Sequence, residues 1–130
     1  MHVSGRCHCG AIAWEAEVDP AQCGICHCTD CQTFSGAPFR ASVPARADNF
    51  HLLRGAPTIY VKTADSGNRR AQAFCGVCGT PIYATAPDRP VAYNLRLGAL
   101  RERAEIVPNR QIWCGSGLAW AKDIRAVPEG

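Results

Sequence analysis

Nine cysteines in 130 residues, most of them in tight pairs, constrain this chain more than any other feature. They fall as Cys7-x-Cys9, then Cys23-x-x-Cys26-x-Cys28-x-x-Cys31, then Cys75-x-x-Cys78, with Cys114 apart. Such density belongs either to secreted disulfide scaffolds or to metal-binding domains. Met1-His2-Val3-Ser4-Gly5-Arg6 has no apolar stretch behind a basic start, so no secretory signal is expected. No apolar run approaches the roughly 18 to 20 residues needed to span a bilayer. The expected setting is therefore the reducing cytoplasm, where close thiol pairs read as metal ligands. The odd total agrees, because a complete disulfide framework needs an even one.

Zinc takes about four ligands in a tetrahedron, with sulfur roughly 2.3 Å away, and a short-spaced pair supplies two of them from one turn. Cys75-Gly76-Val77-Cys78-Gly79 has the form of a zinc knuckle. Glycine follows both Cys9 and Cys78, where a positive φ lets the backbone curl its amides toward the sulfurs. A knuckle needs a second pair, and Cys7 with Cys9 is the natural one. The entropy of closing the loop between them grows slowly with its length. Against it stands on the order of 10 kcal/mol released at a structural zinc site. Cys7, Cys9, Cys75 and Cys78 are thus expected to form a closed structural site. The segment Cys23 to Cys31 allows two arrangements. Either all four thiols close a second site, or Cys26, Cys28 and Cys31 hold a metal with one position open, as catalytic zinc requires. Spacing does not choose between them.

Twelve glycines and nine prolines interrupt nearly every segment before a long helix could form. Strands are expected at 11–18, 38–43, 58–63, 72–74, 81–85 and 91–97, each rich in β-branched or aromatic residues. Helical turns are expected only at 29–34 and 100–103. The fold class is mostly β, with short strands and little helix, in one domain spanning residues 1–130. Net charge is +3, and arginine supplies twelve of the fourteen basic residues. They are scattered without a basic block, so nucleic acid is not an expected partner. The guanidinium fork does suit carboxylates, although a solvated surface would look the same in sequence.

Three motifs in order carry a family resemblance. Gly5-Arg6-Cys7-His8-Cys9-Gly10-Ala11 is the first. Cys26-His27-Cys28-Thr29-Asp30-Cys31, followed by Ser35-Gly36-Ala37-Pro38-Phe39, is the second, and Phe74-Cys75-Gly76-Val77-Cys78-Gly79-Thr80-Pro81-Ile82-Tyr83 the third. Together they resemble the glutathione-dependent formaldehyde-activating enzymes, a family that also contains centromere protein V. The resemblance implies a β-tent fold and two zinc ions. It implies a structural zinc on Cys7, Cys9, Cys75 and Cys78 and a catalytic zinc on Cys26, Cys28 and Cys31. It also implies a carbon–sulfur lyase-type activity joining glutathione, or a related thiol, to formaldehyde. Under this resemblance the open arrangement of the second site is preferred. Gln32 and Gln111 stand where the family often carries arginine and histidine. A non-catalytic two-zinc module that meets a protein partner is the alternative function.

Other residues have simpler expectations. His8 and His27, each between two ligands, are expected at the surface, as are His2 and His51. Cys114 is expected as a buried small hydrophobe, and Trp14, Trp113 and Trp120 as core or rim aromatics. Arg70, in the loop before the knuckle, is a candidate to bind a glutathione carboxylate. Asp30 is expected to orient its loop.

Overall fold

The computed structural model describes residues 1–130. Strands β1 (His2–Arg6), β2 (Ala13–Glu17) and β5 (Phe50–Arg54) form a three-stranded antiparallel sheet in the order β1-β2-β5. The other strands are β3 (Gly24–Cys26), β4 (Arg40–Arg46), β6 (Thr58–Thr63), β7 (Arg69–Phe74), β8 (Pro81–Thr85), β9 (Ala92–Arg96) and β10 (Arg110–Ile112). They make a seven-stranded sheet in the order β10-β3-β4-β9-β8-β7-β6, antiparallel except for the parallel pair β10 and β3. The single α-helix, α1 (Thr29–Ser35), follows β3 directly and ends at Gly36 in the left-handed conformation. The chain is mostly β, as its composition predicts.

Period-two alternation explains how the sheets meet. Trp14 and Ala16 point inward from β2, and Glu15 and Glu17 do not. Val3 from β1 and Phe50 from β5 join them, and Val43, Ala45, Ala73, Ile82 and Leu95 come from the larger sheet to form one core. Phe50, Tyr83 and Tyr93 pack as an aromatic trio with centroids 4.6–5.4 Å apart. Cys7, Cys23 and Cys75 are members of the same buried cluster.

Expected strands at 58–63 and 81–85 agree with β6 and β8, and those at 11–18, 38–43, 72–74 and 91–97 overlap β2, β4, β7 and β9. Sequence reasoning missed β1, β3, β5 and β10. The last two residues of β1, Gly5 and Arg6, carry no strand signal, and β3 and β10 have only three residues each. The helix expected at 100–103 is a series of turns, with a short 3-10 segment (Leu97–Ala99) just before it.

Gly5 pairs across the small sheet with Trp14, and the indole packs closely against it. A Cβ at Gly5 would come within 2.2 Å of the Trp14 ring, whose side chain is fully buried. Gly5→Ala is therefore expected to lower stability by about 2–3 kcal/mol through overpacking. Urea unfolding should show a lower midpoint at unchanged slope. An unmoved midpoint would mean that Trp14 can shift at little cost.

Candidate functional site

Cys7 and Cys9 follow β1 directly, and Cys75 and Cys78 lie in the turn from β7 to β8. Their four sulfurs all lie within 4.8 Å of one another. Cys7 and Cys9 sulfurs are 3.6 Å apart, and Cys9 and Cys75 sulfurs 3.8 Å. A tetrahedron with metal–sulfur bonds of roughly 2.3 Å has edges of about 3.8 Å, so the set fits zinc. A disulfide would need about 2.0 Å, and all nine cysteines are free.

Two unrelated segments reach this geometry in the same way. Gly10 and Gly79 both have φ of +82°. Their amides donate to the carbonyls of Cys7 (3.0 Å) and Cys75 (2.8 Å). The Ile12 amide donates to Cys7 Sγ at 3.2 Å. Thr80 joins the halves: its hydroxyl accepts from the His8 amide at 3.0 Å and donates to Cys78 Sγ at 3.2 Å. The Thr80 hydroxyl, then the Cys9 and Thr80 amides, hold the Cys78 thiol down to about 5. Despite the Ala11 amide, burial and the neighbouring thiols push Cys9 up to about 11. Four sulfurs this close cannot all ionise alone, and a divalent cation removes the conflict.

The second cluster contains Cys26, Cys28 and Cys31, with all three sulfurs within 4.8 Å of one another. Cys26 ends β3, Cys28 is the N-cap of α1, and Cys31 lies in its first turn. Cys28 Sγ accepts the Cys31 amide at 3.3 Å, as a capping serine oxygen would. Burial, then Cys26, pushes the Cys31 thiol up to about 12, against the pull of Arg40. Cys23 does not belong to this group. Its side chain is fully buried in the hydrophobic core, and burial raises its thiol pKa. Of the four thiols of the segment, three are gathered and Cys23 is not.

The ligand loop is held from the C-terminal side. His27 donates its amide to Ile112 O at 3.1 Å, and its Nε2 pairs with Gln111 Oε1 at 2.7 Å. Gln32 Nε2 donates to His27 O at 2.8 Å and to Ser116 O at 3.0 Å. Gln32 and Gln111, where the family often has charged or titratable groups, serve here as neutral clasps. His27 is a correction: it points away from the sulfurs as expected, but into the interior against Phe39 rather than to the surface. Cys114 is another, being exposed rather than buried. Trp113 and Trp120 are exposed too, while Trp14 is in the core. His2, His8 and His51 are at the surface as expected. Asp30 pairs with Lys62 and so ties α1 to β6.

A cavity of about 300 Å³ adjoins Cys26 and Cys31. Its floor is the face of the seven-stranded sheet that points away from the core. Register decides which residues share that face: Ser42 opposite Arg96, Cys26 opposite Arg40, Gln72 opposite Ala84, and Lys62 opposite Arg70. Five cations line it, namely Arg40, Lys62, Arg70, Arg96 and Arg110, and no carboxylate does. Arg70, expected in a loop, is instead on β7 opposite Lys62, and its side chain lines this cavity. Arg40, Arg96 and Arg110 were not singled out in sequence; polar alternation along β4 and β9 is the only signal for the first two, and the three-residue β10 gives none for Arg110.

Fold and site together define a mostly β domain with two cysteine clusters that could hold metal ions, one of four sulfurs and one of three beside a cationic cavity. The family model for glutathione-dependent formaldehyde-activating enzymes matches residues 2–116, and the chain belongs to that family. The crystal structure of a Rhodobacter sphaeroides protein is similar in fold, with a TM-score of 0.64 and 21% identity over 83% of this chain and 98% of that one. A search of curated proteins found no match.

Proposed function

We propose that this chain joins glutathione, or a related thiol, to formaldehyde at a zinc ion held by Cys26, Cys28 and Cys31. The product is S-hydroxymethylglutathione, which makes the reaction a carbon–sulfur lyase step run toward bond formation. The thiol sulfur bonds to the carbonyl carbon, and the thiol proton finishes on the oxygen, so no oxidant or reductant is needed. The observation that carries this reading is a three-sulfur set opening on a cavity while Cys23 stays in the core. Cys7, Cys9, Cys75 and Cys78 would hold a second, structural zinc.

A bound zinc supplies a Lewis-acid position at which a thiol loses its proton near neutral pH. The chain's own residues do the rest. Arg40, Lys62 and Arg70 favour anionic over neutral ligands in the cavity. The sheet face and the clasped loop hold both reactants together, which raises their effective concentration. The Cys28 cap fixes the start of α1 and with it the direction of Cys31.

The purified protein should carry two zinc ions per chain by elemental analysis. Adding glutathione should alter the X-ray absorption signature of one of them, and NMR should show faster exchange between glutathione and S-hydroxymethylglutathione. Two zinc ions that ignore glutathione, with no acceleration, would favour the non-catalytic module instead. The feature on the side of that module is the exposed apolar C-terminal stretch, where Trp113 and Trp120 are 67% and 54% accessible.

A further inference from the structure

Arg96 is the most deeply placed cation in the molecule, 7% exposed at the base of the cavity. Buried guanidinium groups are ordinarily met by a carboxylate, because desolvating a charge is costly unless it is paired. Arg96 has only neutral oxygens: Nη1 donates to Ser42 Oγ at 2.7 Å and Nη2 to Gln72 Oε1 at 3.2 Å. Arg40 Nη1 donates to the same Gln72 oxygen, also at 3.2 Å. Two guanidinium groups therefore converge on one uncharged acceptor. Burial, then the charges of Arg40 and Arg70, holds the Arg96 pKa down to about 9. The metal centre does not balance this charge. Three thiolates on a divalent cation would leave one negative charge, against the four arginines in the lining. Asp30, the nearest acid to the centre in sequence, is already paired with Lys62.

We propose that Arg96 and Arg40, bridged by Gln72, form a clamp for a carboxylate, and that the substrate of this cavity docks an anionic end there while its reacting end faces Cys26 and Cys31. Each guanidinium has donors left over, in the planar fork that suits a carboxylate. The clamp would make the cavity select an acid over the corresponding amide or ester. That the acid belongs to the thiol partner rests on the glutathione reading above; the clamp itself does not.

The test uses the zinc-loaded protein and two pairs of probes. Millimolar succinate should raise the melting temperature, and succinamide should not. S-methylglutathione, which has no free thiol, should bind at least tenfold more tightly than its dimethyl ester by calorimetry. Gln72→Glu puts a carboxylate of the same shape between the two arginines. It should melt higher than the wild type, keep both zinc ions, lose the response to succinate, and bring the acid-to-ester ratio close to one. Arg40→Gln, at a partly exposed position, should weaken both responses at least tenfold if Gln72→Glu does not fold. Succinate and succinamide acting alike on the wild type would overturn the clamp, as would a full succinate response in Gln72→Glu. A selective succinate response without preference for S-methylglutathione over its ester would uphold the clamp and count against the glutathione reading alone.

Discussion

Replacing Cys75 by serine is expected to empty the closed centre and unfold the chain. Cys75 is 1% exposed and belongs to the same buried cluster as Cys7, Ile12 and Ile82. Only 25 of the 130 residues are buried, so this core is modest for the length. A structural zinc site is worth roughly 10–16 kcal/mol in isolated peptides, whereas a whole domain keeps a net stability of about 5–15 kcal/mol. Losing one of four thiolates should remove about 5 kcal/mol or more, enough to consume most of the margin. Circular dichroism on heating should show no cooperative transition, and elemental analysis should show no zinc. A cooperative melt near the wild-type temperature would mean that the aromatic trio and the sheets hold the fold without the metal. The same dependence predicts release of metal as pH falls, because protons compete with zinc for the thiolates.

The second centre should behave in the opposite way. Cys31→Ala is expected to leave the chain folded, reduce bound zinc from two ions to one, and drop product formation to the spontaneous rate. Only three sulfurs are gathered at this cluster. Removing one should weaken binding by more than the roughly 10–100-fold lost when a mere supporting hydrogen bond is removed. The cost to folding should be small, about 1–2 kcal/mol for truncating one small buried side chain. Cys23→Ala is the matched control, since it lies eight residues earlier in the same motif but in the core. It should cost about 1 kcal/mol of stability while keeping two zinc ions and full activity. If Cys23→Ala loses the second zinc and Cys31→Ala keeps it, the assignment of ligands is wrong. If neither variant changes product formation, the centre is not where the chemistry occurs.

Much of the site was legible before any coordinates. Cys75-x-x-Cys78 with a following glycine, and Cys7-x-Cys9 with the same, are local devices. Their spacing and the positive φ at Gly10 and Gly79 set two sulfurs in one turn whatever surrounds them. The class of fold was legible for a similar reason, because frequent glycine and proline leave only short β-branched runs between them. His27 and Cys114 were misjudged because burial is not a local property. His27 sits inside because Gln111 and Phe39, from distant segments, close around it.

Cysteine spacing by itself determined that this chain gathers thiols, since two ligands three residues apart need only a turn to meet. Tertiary structure alone decided which thiols stand together and which is left out. Cys23 and Cys26 belong to one run of closely spaced cysteines, but Cys23, just before β3, is buried in the core while Cys26, at the end of β3, joins the sulfurs of Cys28 and Cys31. It also turned scattered arginines into a charged cavity. Arg40, Arg70, Arg96 and Arg110 lie on four strands and meet because pairing register puts them on one face of one sheet. Register is set by which hydrophobic residues on the other face reach the core. A property spread over seventy residues of chain in that way cannot be read from any one segment of it.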